Sequence, residues 1–189
     1  MDINNCAAWA KGDPIGLFYH DKRWCQPVHD DTELFALLCL EGQQAGLSWL
    51  TILKKEAAIR EAFCNFDIDK VAAFTDEKVE ELMKNPLILR NRLKIKAAVT
   101  NAKALKKLLE SSEYPSFDSY IWHFTDYRRI VHHPKTLAEI PAKDELSEKI
   151  SRDLKKRGFK FVGAVIIYSY LQAVGIYDDH LDSCPCKKQ

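Results

Sequence analysis

Apolar positions recur along nearly the whole chain with the 3.6-residue period of helices that bury one face. Asp31 or Thr32 can cap a helix carrying Leu34, Phe35, Leu38 and Cys39, and Ser48 the next, with Leu50, Ile52, Leu53, Ile59 and Phe63. Asp67 begins a short turn around Val71, and Thr75 caps a helix through Val79 and Leu82. Pro86 then breaks the chain before a long amphipathic helix from Arg92 to Leu109, with Ile95, Ala98, Val99, Ala102 and Leu105 on its apolar face. Beyond Pro115 a short helix holds Tyr120, Ile121, Trp122 and Phe124. Residues 125–143 contain two prolines and no clear period, which predicts loop. Asp144 caps a charged helix ending near Gly158, and a buried helix follows within Phe161–Tyr177. No alternating strand pattern, repeat or low-complexity tract is present. The fold class expected is all-α.

Composition narrows this picture. The chain has 189 residues, 47% hydrophobic and 29% charged, as expected of one globular domain with its own core. MDINNCAAWAKGD has neither an apolar core nor a cleavage site, so no export signal and a cytoplasmic location are expected. The six cysteines are therefore expected as reduced thiols or metal ligands. The apolar stretch 161–177 is short for a bilayer span and carries Ser169 and Gln172, so it predicts a core helix and no membrane association. A net charge of +1 is a weak basic excess for a nucleic-acid binder. Its cations are clustered, however: Arg90, Arg92, Lys94 and Lys96 in one group, and Lys155, Lys156, Arg157 and Lys160 in another. Either cluster taken alone is more often a solvated helix face.

Three places offer chemistry. LEGQQAGLSW, from Leu40 to Trp49, sets Glu41 at the end of an apolar helix and Trp49 just inside the next. A carboxylate beside an indole suits a planar, hydrogen-bonding ligand; a plain helical corner with one core tryptophan fits the residues equally well. Upstream, Tyr19, His20 and Trp24 follow Trp9, so three of four tryptophans precede residue 50. Near the other end, three residues separate His180 from Cys184, and Cys6 and His20 could complete a tetrahedral zinc site across the chain ends. Cys25, Cys186 and the His132–His133 pair compete as ligands. Finally, Met83–Lys96 reads helix, short turn, helix. Such a unit can present backbone N–H groups to a DNA phosphate, although NPLILRNRLK lacks the glycines usual in that turn and also fits an ordinary helical hairpin.

LEGQQAGLSW, YHDKRW (Tyr19–Trp24), KKRGFKFVG (Lys155–Gly163) and the terminal H-x-x-x-C occur in the same order in the bacterial 3-methyladenine DNA glycosylase I family, which the chain closely resembles from Cys6 to Cys186. The resemblance implies an all-α helix-hairpin-helix fold of two helical lobes with the base pocket between them. It implies a monofunctional, monomeric enzyme that hydrolyses the N-glycosidic bond of 3-methyladenine in alkylated double-stranded DNA, leaving an abasic site. Glu41 would then be the catalytic, base-binding carboxylate. Tyr19 and Trp49 would stack on the base, with Trp9 and Trp24 near it. Gln44, Gly46 and Leu47 would fill the gap left by the flipped base, and Arg90, Arg92, Lys94 and Lys160 would contact DNA. Cys6, His20, His180 and Cys184 would hold one structural Zn2+.

The chain departs from that pattern in places. Gly16 stands where some members have a pocket tyrosine, one extra residue separates Cys6 from Trp9, and Leu93 replaces a small residue of the hairpin. The helix after the hairpin carries no aspartate to steady a sugar cation; the next is Asp118. A catalytically silent damage-binding module and a hydrolase of free nucleosides are the rival readings. Glu41, Tyr19 and Trp49 kept together argue against the first, and the basic hairpin against the second.

Overall fold

The computed structural model describes residues 6–187. Among them nine α-helices carry the fold: α1 (Pro14–Lys22), α2 (Asp31–Gln44), α3 (Trp49–Ala62), α4 (Ile68–Ala72), α5 (Asp76–Lys84), α6 (Arg92–Glu110), α7 (Phe117–Trp122), α8 (Glu145–Lys156) and α9 (Ala164–Ala173). Most start where the sequence places a capping side chain. Ser48 accepts from Thr51 N, Asp67 from Lys70 N and Thr75 from Lys78 N, and Asp144 forms a reciprocal capping box with Ser147. For α2 the cap is Asp30, one residue before those expected. Asp31 is engaged elsewhere: its carboxylate accepts the N–H groups of Phe117 (3.0 Å) and Asp118 (2.8 Å), pinning the start of α7 to the start of α2.

α2 is the central element. Every residue from Leu34 to Gln43 is buried, and the helix touches α3, α6, α7 and α9. A helix apolar on all sides has to lie inside the molecule. Two bidentate ion pairs, Arg23–Glu56 and Arg60–Glu33, each at 2.8–2.9 Å, hold α1, α2 and α3 in register.

The structure adds one helix and changes two expectations. The pattern around Ile15, Leu17 and Phe18 has no single apolar face, yet the segment is helical, capped by Asp13 with Pro14 in its first turn. The stretch 161–177 is not one helix. Phe161 takes a left-handed φ of +54°, α9 starts only at Ala164, and the chain then turns at Gly175. That turn requires glycine, because a Cβ would lie 2.2 Å from the Gln26 backbone carbon. Beyond it, β2 (Tyr177–Asp178) pairs in parallel with β1 (Ile130–Val131), Ile130 opposite Tyr177, inside the region expected to be loop. The all-α class thus holds apart from two two-residue strands. Among the described residues no helix is long and apolar enough to cross a membrane.

Candidate base-binding site

A cavity of about 330 Å³ is lined by Trp9, Tyr19, Trp24, Glu41, Gln44, Ser48, Trp49, Leu50, Ser169 and Gln172. Four segments meet there: the turn before α1 with α1 itself, the end of α2, the start of α3, and α9. Tyr19 and Trp49 stand 5.4 Å apart at 63°, and Trp9 meets Tyr19 at 6.1 Å and 76°. Ring faces and edges therefore alternate around the space. The Arg23 guanidinium, 5.3 Å from the Tyr19 ring centre, backs that wall.

Two polar atoms in this lining are buried with no protein partner among the described residues: Glu41 Oε2 and Trp49 Nε1. An unpaired buried polar group is costly, so both point to a ligand that brings complementary atoms. Burial pushes the Glu41 carboxyl up to about 8. Burial thus favours the protonated carboxyl at neutral pH, and an entering cation favours loss of its proton. Among the described residues Glu41 is the one carboxylate lining the cavity.

Gly46 and Leu47 are not in the lining. They form the turn between α2 and α3, with Gly46 at φ +77° and Leu47 41% exposed beside the cavity. Gly16 is not in the lining either. A Cβ there would lie 2.7 Å from Ala10 Cβ, so the glycine lets the turn bearing Trp9 close onto α1. Ser169 and Gln172 were missed as site residues because they sit in the most apolar stretch. Their three-residue spacing, which puts both on one helix face, was the available signal. Gln172 is held by donation from Nε2 to Asp179 Oδ2 at 2.7 Å.

The basic cluster after the hairpin does not act as one patch. Arg92 donates to Glu80 at 2.9 Å and Lys96 pairs with Asp76 at 2.7 Å. Lys94, expected on the DNA face, is buried, with Nζ donating to the backbone carbonyls of Gln43 (2.8 Å) and Ala45 (2.6 Å). Arg90 and Lys160 remain exposed.

Side chains from the two ends of the chain lie together. His20 Nε2 lies 2.9 Å from Cys6 Sγ and 3.8 Å from Cys184 Sγ. Donor atoms of His20, His180, Cys184 and Cys186 lie within 4.8 Å of one another. Cys186, not Cys6, is the fourth member of that group, whereas His132 and His133 pair with Asp179 and Asp182. Both cluster histidines turn Nδ1 to a carboxylate, His20 to Asp21 (2.7 Å) and His180 to Asp178 (2.8 Å). This is the arrangement by which outer carboxylates orient metal-binding imidazoles. His180 Nε2 is buried and has no partner among the described residues.

A family model described as methyladenine glycosylase matches residues 9–188. The DNA-3-methyladenine glycosylase of Haemophilus influenzae is 44% identical over 95% of this chain and 96% of its own. DNA-3-methyladenine glycosylase 1 of Escherichia coli is 44% identical over 94% of each. A structure of 3-methyladenine DNA glycosylase I from Staphylococcus aureus, solved for its recognition of 3-methyladenine, superposes with a TM-score of 0.94 at 40% identity, covering 100% of this chain and 99% of that one. The chain belongs to the methyladenine glycosylase family.

Proposed function

We propose that the chain excises 3-methyladenine from alkylated DNA by hydrolysing its N-glycosidic bond. The observation that carries this reading is the buried Glu41 Oε2, with no partner among the described residues, in an aromatic cavity. N3-methylated adenine in DNA is a cation, so the base leaves neutral and needs no general acid. As the C1′–N bond breaks, its electron pair enters the base and cancels that charge. A water oxygen bonds to C1′ and the water proton passes to solvent. The aromatic walls stabilise a bound cation by about 0.5–2 kcal/mol per contact. Glu41, ionised opposite the cation, accepts from the base and distinguishes it from unmodified adenine, which brings donors without charge.

The turn at Gly46–Leu47 supports extraction of the base from the duplex. An exposed leucine at the rim of a base-sized cavity can occupy the gap that flipping leaves. In the same reading α5, its turn and the N-terminus of α6 form a hairpin that grips phosphate, with Arg90 and Lys160 as the free cations. Lys55 Nζ donates to Leu87 O at 2.8 Å and so ties the hairpin turn to α3.

One structural Zn2+ belongs to the proposal. His20, His180 and Cys184 would hold it, with Cys6 as the fourth ligand and Cys186 as the nearest substitute. Bound there it would cross-link the chain ends and supply no chemistry to the reaction. All six cysteines are unpaired, which accords with a reducing cytoplasm, and the chain acts as a monomer on double-stranded DNA. Chromatography of bases released from methylated duplex tests the reading. Release of free 3-methyladenine supports it, whereas binding without release identifies a damage-binding module.

A further inference from the structure

The end of α2 and the start of α6 are 49–51 residues apart in sequence and joined by one side chain. Lys94 is the third residue of α6, and its backbone N–H is taken by the capping side chain of Asn91. Its ammonium crosses to Gln43 O and Ala45 O, the open carbonyls at the end of α2. A cation is favourable where a helix leaves its last carbonyls unpaired and its dipole negative. Those carbonyls immediately precede the Gly46–Leu47 turn, itself closed by donation from Leu47 N to Gln44 O.

The same helix clamps the other side. Asn101 donates from Nδ2 to Lys160 O (3.0 Å) and accepts from Lys160 N (2.7 Å). The next residue, Phe161, packs on α2 where Gly42 leaves room, since a Cβ on Gly42 would approach Phe161 Cβ to 3.2 Å. The conspicuous GFKFVG motif thus serves to hold the end of α2 that bears Glu41.

We infer that Lys94 is a positioning residue that fixes the Leu47 turn relative to the DNA-gripping start of α6, and that it makes no phosphate contact of its own. The inference rests on base excision as the function. Lys94 would transmit grip on the backbone to the residue that enters the duplex, leaving the cavity for the free base untouched.

The test is Lys94→Met. Single-turnover excision from methylated duplex should fall about tenfold or more, since a charge-assisted contact is lost. Affinity for free 3-methyladenine, followed by tryptophan fluorescence, should stay within about twofold. The slope of log affinity for duplex against log salt should not change. Wild-type excision, or an equal loss of free-base affinity, overturns the inference. So does a slope reduced by about one, which marks a phosphate contact. Should Lys94→Met not fold, Lys94→Gln, which keeps a donor, is measured the same way; if neither folds, Lys94 is a fold determinant and the positioning role is wrong. Failure of the wild-type chain to release base would instead count against the excision reading itself, and shows before any variant is made.

Discussion

Trp24 and His180 pack edge to face, their ring centres 4.7 Å apart at 68°. Trp24 also stacks on His20 at 5.6 Å and lines the base cavity. One indole therefore stands between the His/Cys cluster and the cavity. The joining of the chain ends and the shape of the pocket are mechanically connected.

Freshly purified protein should accordingly carry one zinc. His180→Ala should destabilise it by about 3 kcal/mol or more, roughly 6–12 °C in Tm for a chain of this size. Because Trp24 loses its edge contact, free-base affinity should fall too, while preference for 3-methyladenine over adenine changes less. Metal analysis and thermal melts check this, and protein lacking stoichiometric zinc contradicts it. Zinc retained in Cys6→Ser but lost in Cys186→Ser would show Cys186 to be the fourth ligand.

Stability should show the cost of keeping Glu41 in the cavity. Its carboxyl is raised by burial from 4.5 to about 8, so the folded state holds a proton that the unfolded chain has released. The associated stability is complete below about 4.5 and is lost as pH rises through about 8, at roughly 1.4 kcal/mol per unit. Glu41→Gln should match the wild type near pH 4.5 and exceed it by a few kcal/mol at pH 9. Denaturant melts across that range decide it, and parallel curves for the two proteins would refute the shift.

Catalysis should run the opposite way with pH. Excision requires the ionised carboxyl, and kcat/KM reports the free enzyme. It should rise about tenfold per unit up to about pH 8 and level off above. A profile flat between pH 6 and 9 would mean that the charge on Glu41 is not needed.

DNA affinity should depend on Arg90 and Lys160. Both are exposed, whereas Arg92 and Lys96 are already paired with α5 acids. Replacing both by Gln should weaken binding to any duplex by a similar factor and lower the salt slope by about two. Titrations at several salt concentrations measure this, and an unchanged slope removes them from the interface.

Local signals in the sequence carried most of the helical framework. Ser48, Thr75 and Asp144 cap where their side chains and the following apolar period predict, and α6 ends one residue beyond the expected Leu109. The losses are non-local. The β1–β2 pair joins residues 47 apart, with too few positions to alternate. The fate of Lys94 depends on where the end of α2 lies in space, so its sequence neighbours made it look like a phosphate contact. In the site, Trp9, Tyr19, Trp24, Glu41, Gln44 and Trp49 line one cavity. The residues alone left LEGQQAGLSW open between pocket and corner, because burial of Glu41 without a partner is a property of the fold.

Trp49→Ala should reduce excision through lost stacking, with discrimination between cationic and neutral bases largely kept. Rates on 3-methyladenine and on a neutral alkylated base, compared in the variant and the wild type, test this. Loss of that discrimination would place the charge sensor at Trp49.

The most direct test is single-turnover excision of 3-methyladenine from duplex DNA by Glu41→Gln, with its fold and DNA affinity measured alongside. Losing a charge-assisted hydrogen bond costs roughly 1.5–3 kcal/mol, so the rate should fall about ten- to a hundredfold while fold and DNA binding persist. A folded, DNA-binding Glu41→Gln protein that excises at the wild-type rate would contradict the account and remove Glu41 from the chemistry.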